Sequence, residues 1–167
     1  MIGRLPLAYQ PGTSWRYSCA TDVCARLVEV ISGRKFDEFL RERLFEPLNM
    51  RDTGFWVDES KMDRFVTMYA PTDIFDPMKP GLVQAEDPRS GPYASKPKFL
   101  SGGGGLVSTV SDYLSFLQMI VSGGSFNEVR ILKSETLELM RTNQLAPEVG
   151  VAFPMWSMPG TVFGLGF

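Results

Sequence analysis

Phe99-Leu100-Ser101-Gly102-Gly103-Gly104-Gly105-Leu106-Val107-Ser108-Thr109 is the stretch on which the fold turns. No Gly-Lys-Ser/Thr follows the glycines, so a phosphate-binding loop is excluded. The run instead predicts close backbone packing just ahead of a helix. Thr109 followed by Asp112 resembles a capping box. It opens a helix through Tyr113, Leu114, Leu117 and Ile120 to Val121, and Gly123-Gly124 closes it. Further on, Ser134 is expected to cap a helix that turns Leu137 and Met140 inward. From Gly150 to Phe167 there is no charged residue, and Val162-Phe163-Gly164-Leu165-Gly166-Phe167 reads as a strand at a sheet edge. A lone terminal strand leaves its ladder groups without neighbours, so the chain is expected to be incomplete.

Toward the N-terminus, residues Ala70 to Lys98 are rich in proline and glycine and show no period. They predict a long irregular excursion, of the kind that forms lids or rims. Ahead of it, Gly54-Phe55-Trp56-Val57 and Phe65 to Tyr69 suggest short strands with a polar helical turn between them. A helix from about Phe36 to Phe45 is expected to bury Phe36, Phe39, Leu40 and Leu44, with Pro47 ending it. Before it, Val23, Cys24, Leu27, Val28 and Ile31 recur at helical spacing. Ser18 or Thr21 can cap that helix, Asp22 suits its positive end, and Gly33 stops it. Leu5 to Trp15 reads as a loop with a turn at Pro11-Gly12. Together these elements predict an α+β chain with helical regions at 18–46 and 109–143 and a long loop at 70–98.

The chain has 167 residues, 44% hydrophobic and 22% charged, which is ordinary globular composition. Its net charge of −2 and lack of a basic run argue against nucleic-acid binding and electrostatic adhesion to a membrane. No apolar stretch is long enough for a membrane-spanning segment, and no signal-peptide h-region is present, which makes cytoplasmic the default compartment. There is no histidine. That excludes a Ser-His-Asp triad, a Cys-His pair and a His-containing zinc site, leaving Lys, Tyr or a carboxylate as a base. Cys19 and Cys24 would point about 140° apart on a helix and are expected to stay reduced and separate. Glu86-Asp87 and Asp73 with Asp76 are expected to be solvated rim carboxylates rather than a metal or glycosidase pair. The methionines are expected to fill core and lid.

Tyr17-Ser18-Cys19 precedes the first helix, whose dipole would favour an ionised phenol and make Tyr17 a candidate base. Three ordered motifs resemble the β-lactamase-related serine hydrolases. The first is Pro11-Gly12-Thr13 followed by Tyr17-Ser18. The second is Phe45-Glu46-Pro47-Leu48-Asn49-Met50-Arg51-Asp52-Thr53-Gly54-Phe55, and the third is the Ser101–Thr109 run with Asp112-Tyr113. This family includes class C β-lactamases, esterases and D-alanyl peptidases, and the resemblance covers nearly the whole chain.

The resemblance implies a single partial domain over 1–167, the helical subdomain of a β-lactamase/transpeptidase-like fold with its antiparallel sheet incomplete. It implies acyl-serine chemistry on small-molecule esters or amides, with no cofactor or metal. Tyr17 takes the place of the tyrosine that shares the serine's proton. Cys19 stands where class C enzymes often carry an amide-binding asparagine, and a thiol hydrogen-bonds poorly, which favours an esterase-like member. Asn49 replaces a frequent glycine, and asparagine tolerates the left-handed conformation. The family's Ser-x-x-Lys motif should lie upstream of Tyr17, which only sixteen residues precede, and its last strand motif should follow Val162. Both are expected to be missing, so the chain alone should be inactive. A literal match at Ser95-Lys96-Pro97-Lys98 is interrupted by proline and should not form the helix the pair requires. The competing expectation is a non-catalytic piece that associates with a partner chain completing the sheet.

Overall fold

The computed structural model describes residues 2–76, 78–151 and 160–166. These fall into two compact units, Thr21–Phe116 and Met1–Ala20 with Leu117–Phe167. The helices are α1 (Ala20–Ser32), α2 (Phe36–Leu40), α3 (Val110–Val121) and α4 (Ser134–Arg141). The strands are β1 (Met68–Pro71), β2 (Leu82–Glu86), β3 (Ser125–Phe126) and β4 (Val129–Arg130), arranged as two separate antiparallel pairs. Val162–Gly166, predicted as a strand, is irregular. There the Phe163 carbonyl accepts the Gln144 amide at 2.9 Å, and the Leu165 amide bonds the Met140 carbonyl at 2.8 Å. Phe167 lies outside the described residues.

α1 ends where predicted. Gly33 has φ +69°, and its amide bonds the Glu29 carbonyl at 2.9 Å. Its buried face is not the predicted one. Ala25 is buried, with Asp22, Val28 and Glu29 half-buried beside it, whereas Val23, Cys24, Leu27 and Ile31 are exposed. The physical reason lies at Gly102. A Cβ there would overlap the Thr21 carbonyl and press on the Ala25 Cβ at 2.8 Å. Two small residues thus let backbone meet helix, and the large apolar side chains point elsewhere.

α2 continues into a single π-turn over Arg41–Phe45, where the Glu46 amide bonds the Arg41 carbonyl. The helical segment ends at Phe45 with Glu46 as its cap, just ahead of Pro47, as predicted. The turn that follows closes at Asn49, φ +56°, with Met50 amide to Phe45 carbonyl (2.8 Å) and Asn49 amide to Glu46 carbonyl (3.0 Å). That is a Schellman closure with asparagine at the left-handed position. Phe45 is the buried member of the segment, while Phe36, Phe39, Leu40 and Leu44 are half-buried.

Gly54 makes one bridge, to Val107, rather than opening a strand. A 3-10 helix at Glu59–Arg64 supplies the polar turn. The next strand starts at Met68, not Phe65, and pairs with β2. The excursion after Ala70 is therefore partly a hairpin, held by a ladder that its alternation does not announce. Phe45, Leu48, Met50, Phe55 and Met62 form the core of this unit.

α3 closes at Gly123 and Gly124, φ +70° and +91°, as predicted. Along it Met119 is buried, whereas Tyr113, Leu114 and Leu117 are exposed. β3 and β4 join through Asn127 and Glu128, both at positive φ, the geometry of a type I′ turn. α4 buries Leu137 and half-buries Met140. Ser134 is its first residue rather than its cap, and its hydroxyl donates to the Gly123 carbonyl at 3.2 Å. Met50, Met62 and Met119 fill core, Met68 and Met78 are exposed, and Met155 and Met158 lie outside the described residues.

Candidate functional site

Tyr17 and Cys19 lie on the connector that leads into α1, in the unit that also holds Leu117–Phe167. The connector is fixed at its end by Ser18, whose hydroxyl accepts the Ala20 amide at 3.2 Å. Of the two caps the sequence offers, Ser18 and Thr21, this one forms, two residues ahead of its donor. Tyr17 is 61% exposed. Cys19 and Cys24 are exposed free thiols. In the same unit Trp15 packs on Phe163, with ring centroids 5.0 Å apart.

In the other unit the glycine run is tied to the first turn of α1. Ser101 Oγ donates to Asp22 Oδ1 at 2.6 Å, and the Gly103 amide reaches the same oxygen at 3.2 Å. The Ser101 hydroxyl, then the Gly103 and Gly102 amides, hold the Asp22 carboxyl below the usual carboxylate range. Sequence reading gave Asp22 a dipole role only and gave Ser101 none. The available signal was a serine heading a glycine run that must approach a helix start. Within the run only Gly104 would have open space around an added Cβ, so three of the four glycines are explained by packing.

A second knot joins the 49–55 turn to α3. Asp112, 8% exposed, accepts the Asp52 amide at 2.7 Å and the Thr53 hydroxyl at 2.9 Å. Thr109 Oγ1 accepts the Asp112 amide at 3.2 Å, so half of the predicted capping box forms. Its other half is given up because the Asp112 carboxylate serves the turn. The Asp52 side chain points to Arg64 Nη2 (2.8 Å) and Lys61 Nζ (2.9 Å), and Arg64, then Lys61, lower its pKa to about 2. A folded-state pKa below the unfolded value means stability that is complete above about pH 4 and lost as pH falls toward 2. Solvent screening limits the effect to about 1 kcal/mol. Asp52→Asn should flatten that part of the stability–pH curve in urea unfolding, and an unchanged slope would contradict the assignment.

The rest of the excursion is held to the body. Arg89 reaches Asp63 (2.6 Å) and Glu59 (3.3 Å), and Lys96 reaches Asp37 (2.5 Å) with its ammonium 4.8 Å from the Trp56 ring centre. Asp87 accepts the Arg89 and Ser90 amides at 2.8 and 3.1 Å, a turn-forming role. No metal-binding cluster occurs among the described residues. Residues 95–98 are not helical, so the Ser95–Lys98 pair is not formed on a helical turn. Sequence reading passed over a second literal match, Ser32-Gly33-Arg34-Lys35. It fails equally, because α1 ends at Ser32, whose hydroxyl accepts the Arg34 amide at 3.2 Å.

The family model for beta-lactamase matches residues 1–167. Protein Rv1367c of Mycobacterium tuberculosis is 36% identical over 168 residues, covering 98% of this chain and 40% of that protein. Lovastatin esterase of Penicillium rubens is 29% identical over 150 residues, covering 88% of this chain and 35% of that protein. Among solved structures, EstCE1, described as a hydrolase with promiscuous acyltransferase activity, superposes with TM-score 0.72 at 24% identity, covering 99% of this chain and 43% of its own. That likeness shows the fold, a β-lactamase/transpeptidase-like one. The chain belongs to the beta-lactamase family of serine-hydrolase-related proteins. It spans 40% of the length of the mycobacterial relative and 35% of the length of the esterase. No helix among the described residues is long and apolar enough to cross a membrane.

Proposed function

We propose that these residues are part of a serine hydrolase that cleaves small-molecule esters or amides through an acyl-serine intermediate. One observation carries this: Tyr17-Ser18 leads into a capped α1, then come the Asn49 turn and the glycine run packed on α1, in the order of the family's motifs. In this reading Tyr17 is the general base, sharing the nucleophile's proton with a lysine one helical turn from the serine. Neither literal Ser-x-x-Lys match lies on a helical turn, so the serine and lysine come from outside these residues. Cys19 faces the substrate. Its thiol is a weak donor and acceptor, which disfavours a β-lactam amide and favours an ester. The name of the relative lovastatin esterase agrees with that preference. No cofactor or metal takes part.

A second reading is a non-catalytic piece that docks on a partner chain completing the sheet. The exposed apolar side chains of α1, Val23, Leu27, Val30 and Ile31, favour it, since such a face needs a cover. Hydrolysis of p-nitrophenyl acetate by the 167-residue chain separates the outcomes. No rate above buffer is expected from the chain alone. Turnover that disappears in Tyr17→Phe would mean that the nucleophile is within these residues after all.

A further inference from the structure

A cleft of about 680 Å³ opens in the Thr21–Phe116 unit, within the size range of small-molecule sites. Buried Phe45 and Phe55 line its floor, and half-buried Trp56, Val57 and Phe65 line its walls. None of these residues enters the hydrolase chemistry proposed above.

Charge is distributed unevenly around this apolar floor. The α2 side carries Asp37, Glu38 and Glu46, with Asp37 paired to Lys96 and Glu46 to Arg41. The other side carries Arg51, Lys61 and Arg64. Lys61 and Arg64 converge on one oxygen, Asp52 Oδ1, and Lys61 also donates to the Arg51 carbonyl at 2.5 Å. Asp58, the remaining lining carboxylate there, is engaged by the Ser60 amide and hydroxyl. Three cations against two carboxylates leave this side positive. Among the described residues the Arg51 guanidinium bonds the Asn49 side chain at 2.7 Å and no carboxylate.

We infer that this cleft binds an apolar carboxylate, its hydrocarbon body on Trp56, Val57 and Phe65 and its anionic end at Arg51. Arg51 is exposed at this cleft without a carboxylate partner, and its bond to a ligand carboxylate is charge-assisted and gains strength as the bound ligand excludes water. A neutral apolar molecule would use the walls and leave Arg51 unsatisfied. An apolar cation would meet α2-side acids of which two already hold cations. The inference does not rest on the serine-hydrolase reading, and its test reads binding rather than turnover.

The test is ligand-observed NMR titration with 4-phenylbutyrate and its neutral counterpart 4-phenylbutanol. The acid is expected to bind about five- to tenfold tighter than the alcohol, the worth of one charge-assisted contact. Arg51→Gln should abolish that preference, Arg51→Lys should retain most of it, and Arg43→Gln, outside the cleft lining, should leave it intact. Thermal unfolding of each variant shows whether it is folded. Equal affinity for acid and alcohol, binding by neither, or a preference that survives in folded Arg51→Gln would each overturn the inference.

Discussion

Tyr17→Phe is expected to lower kcat for a p-nitrophenyl ester by about 10²- to 10⁴-fold, the usual worth of a general base. The protein tested must carry these residues together with a helical Ser-x-x-Lys pair. The substitution keeps the ring and deletes only the hydroxyl. If the hydroxyl serves the chemistry alone, the unfolding temperature stays within a degree or two of the parent's. The separation of the two readouts is what matters. A large loss of kcat at unchanged stability assigns the phenol to the chemistry. Unchanged kcat would remove Tyr17 from the mechanism, and a parallel loss of stability would make it a packing residue.

Asp112→Ala should cost about 2–4 kcal/mol of folding stability, the largest effect expected from a single polar side chain in the unit. The carboxylate is nearly buried and accepts both the Asp52 amide and the Thr53 hydroxyl. Alanine removes the acceptor and leaves those donors facing a small void. Asp112→Asn keeps the shape and one acceptor oxygen, so about half of the loss should return. Urea unfolding of the three proteins checks this. A loss below about 0.5 kcal/mol for the alanine variant would mean that the turn finds other acceptors and that Asp112 is only a helix-start residue.

The local stops were legible because each has one chemical cause. Gly33, Asn49 and Gly123 sit at the left-handed positions their residue types favour, and Thr109 accepts the Asp112 amide. What sequence could not give was which face of α1 is buried. Large apolar residues at 23, 27 and 31 outweigh Ala25 in any periodicity. The contact is decided by Gly102, 77 positions away, whose missing side chain lets Ala25 in. The hairpin over β1 and β2 escaped notice because Leu82–Glu86 shows no alternation strong enough to announce a strand. Tyr17 and Cys19 were legible only through motif order, since an exposed tyrosine near a helix start has no signature of its own.

In the proposed reading these residues supply a base but no nucleophile. Incubation of the purified chain with a fluorophosphonate probe, and with benzylpenicillin in parallel, tests it by intact mass and peptide mapping. Unmodified protein with both reagents is the predicted result. A single serine adduct would contradict it, and an adduct on Ser95 would show that the Ser95–Lys98 pair, non-helical as it stands, is the active one.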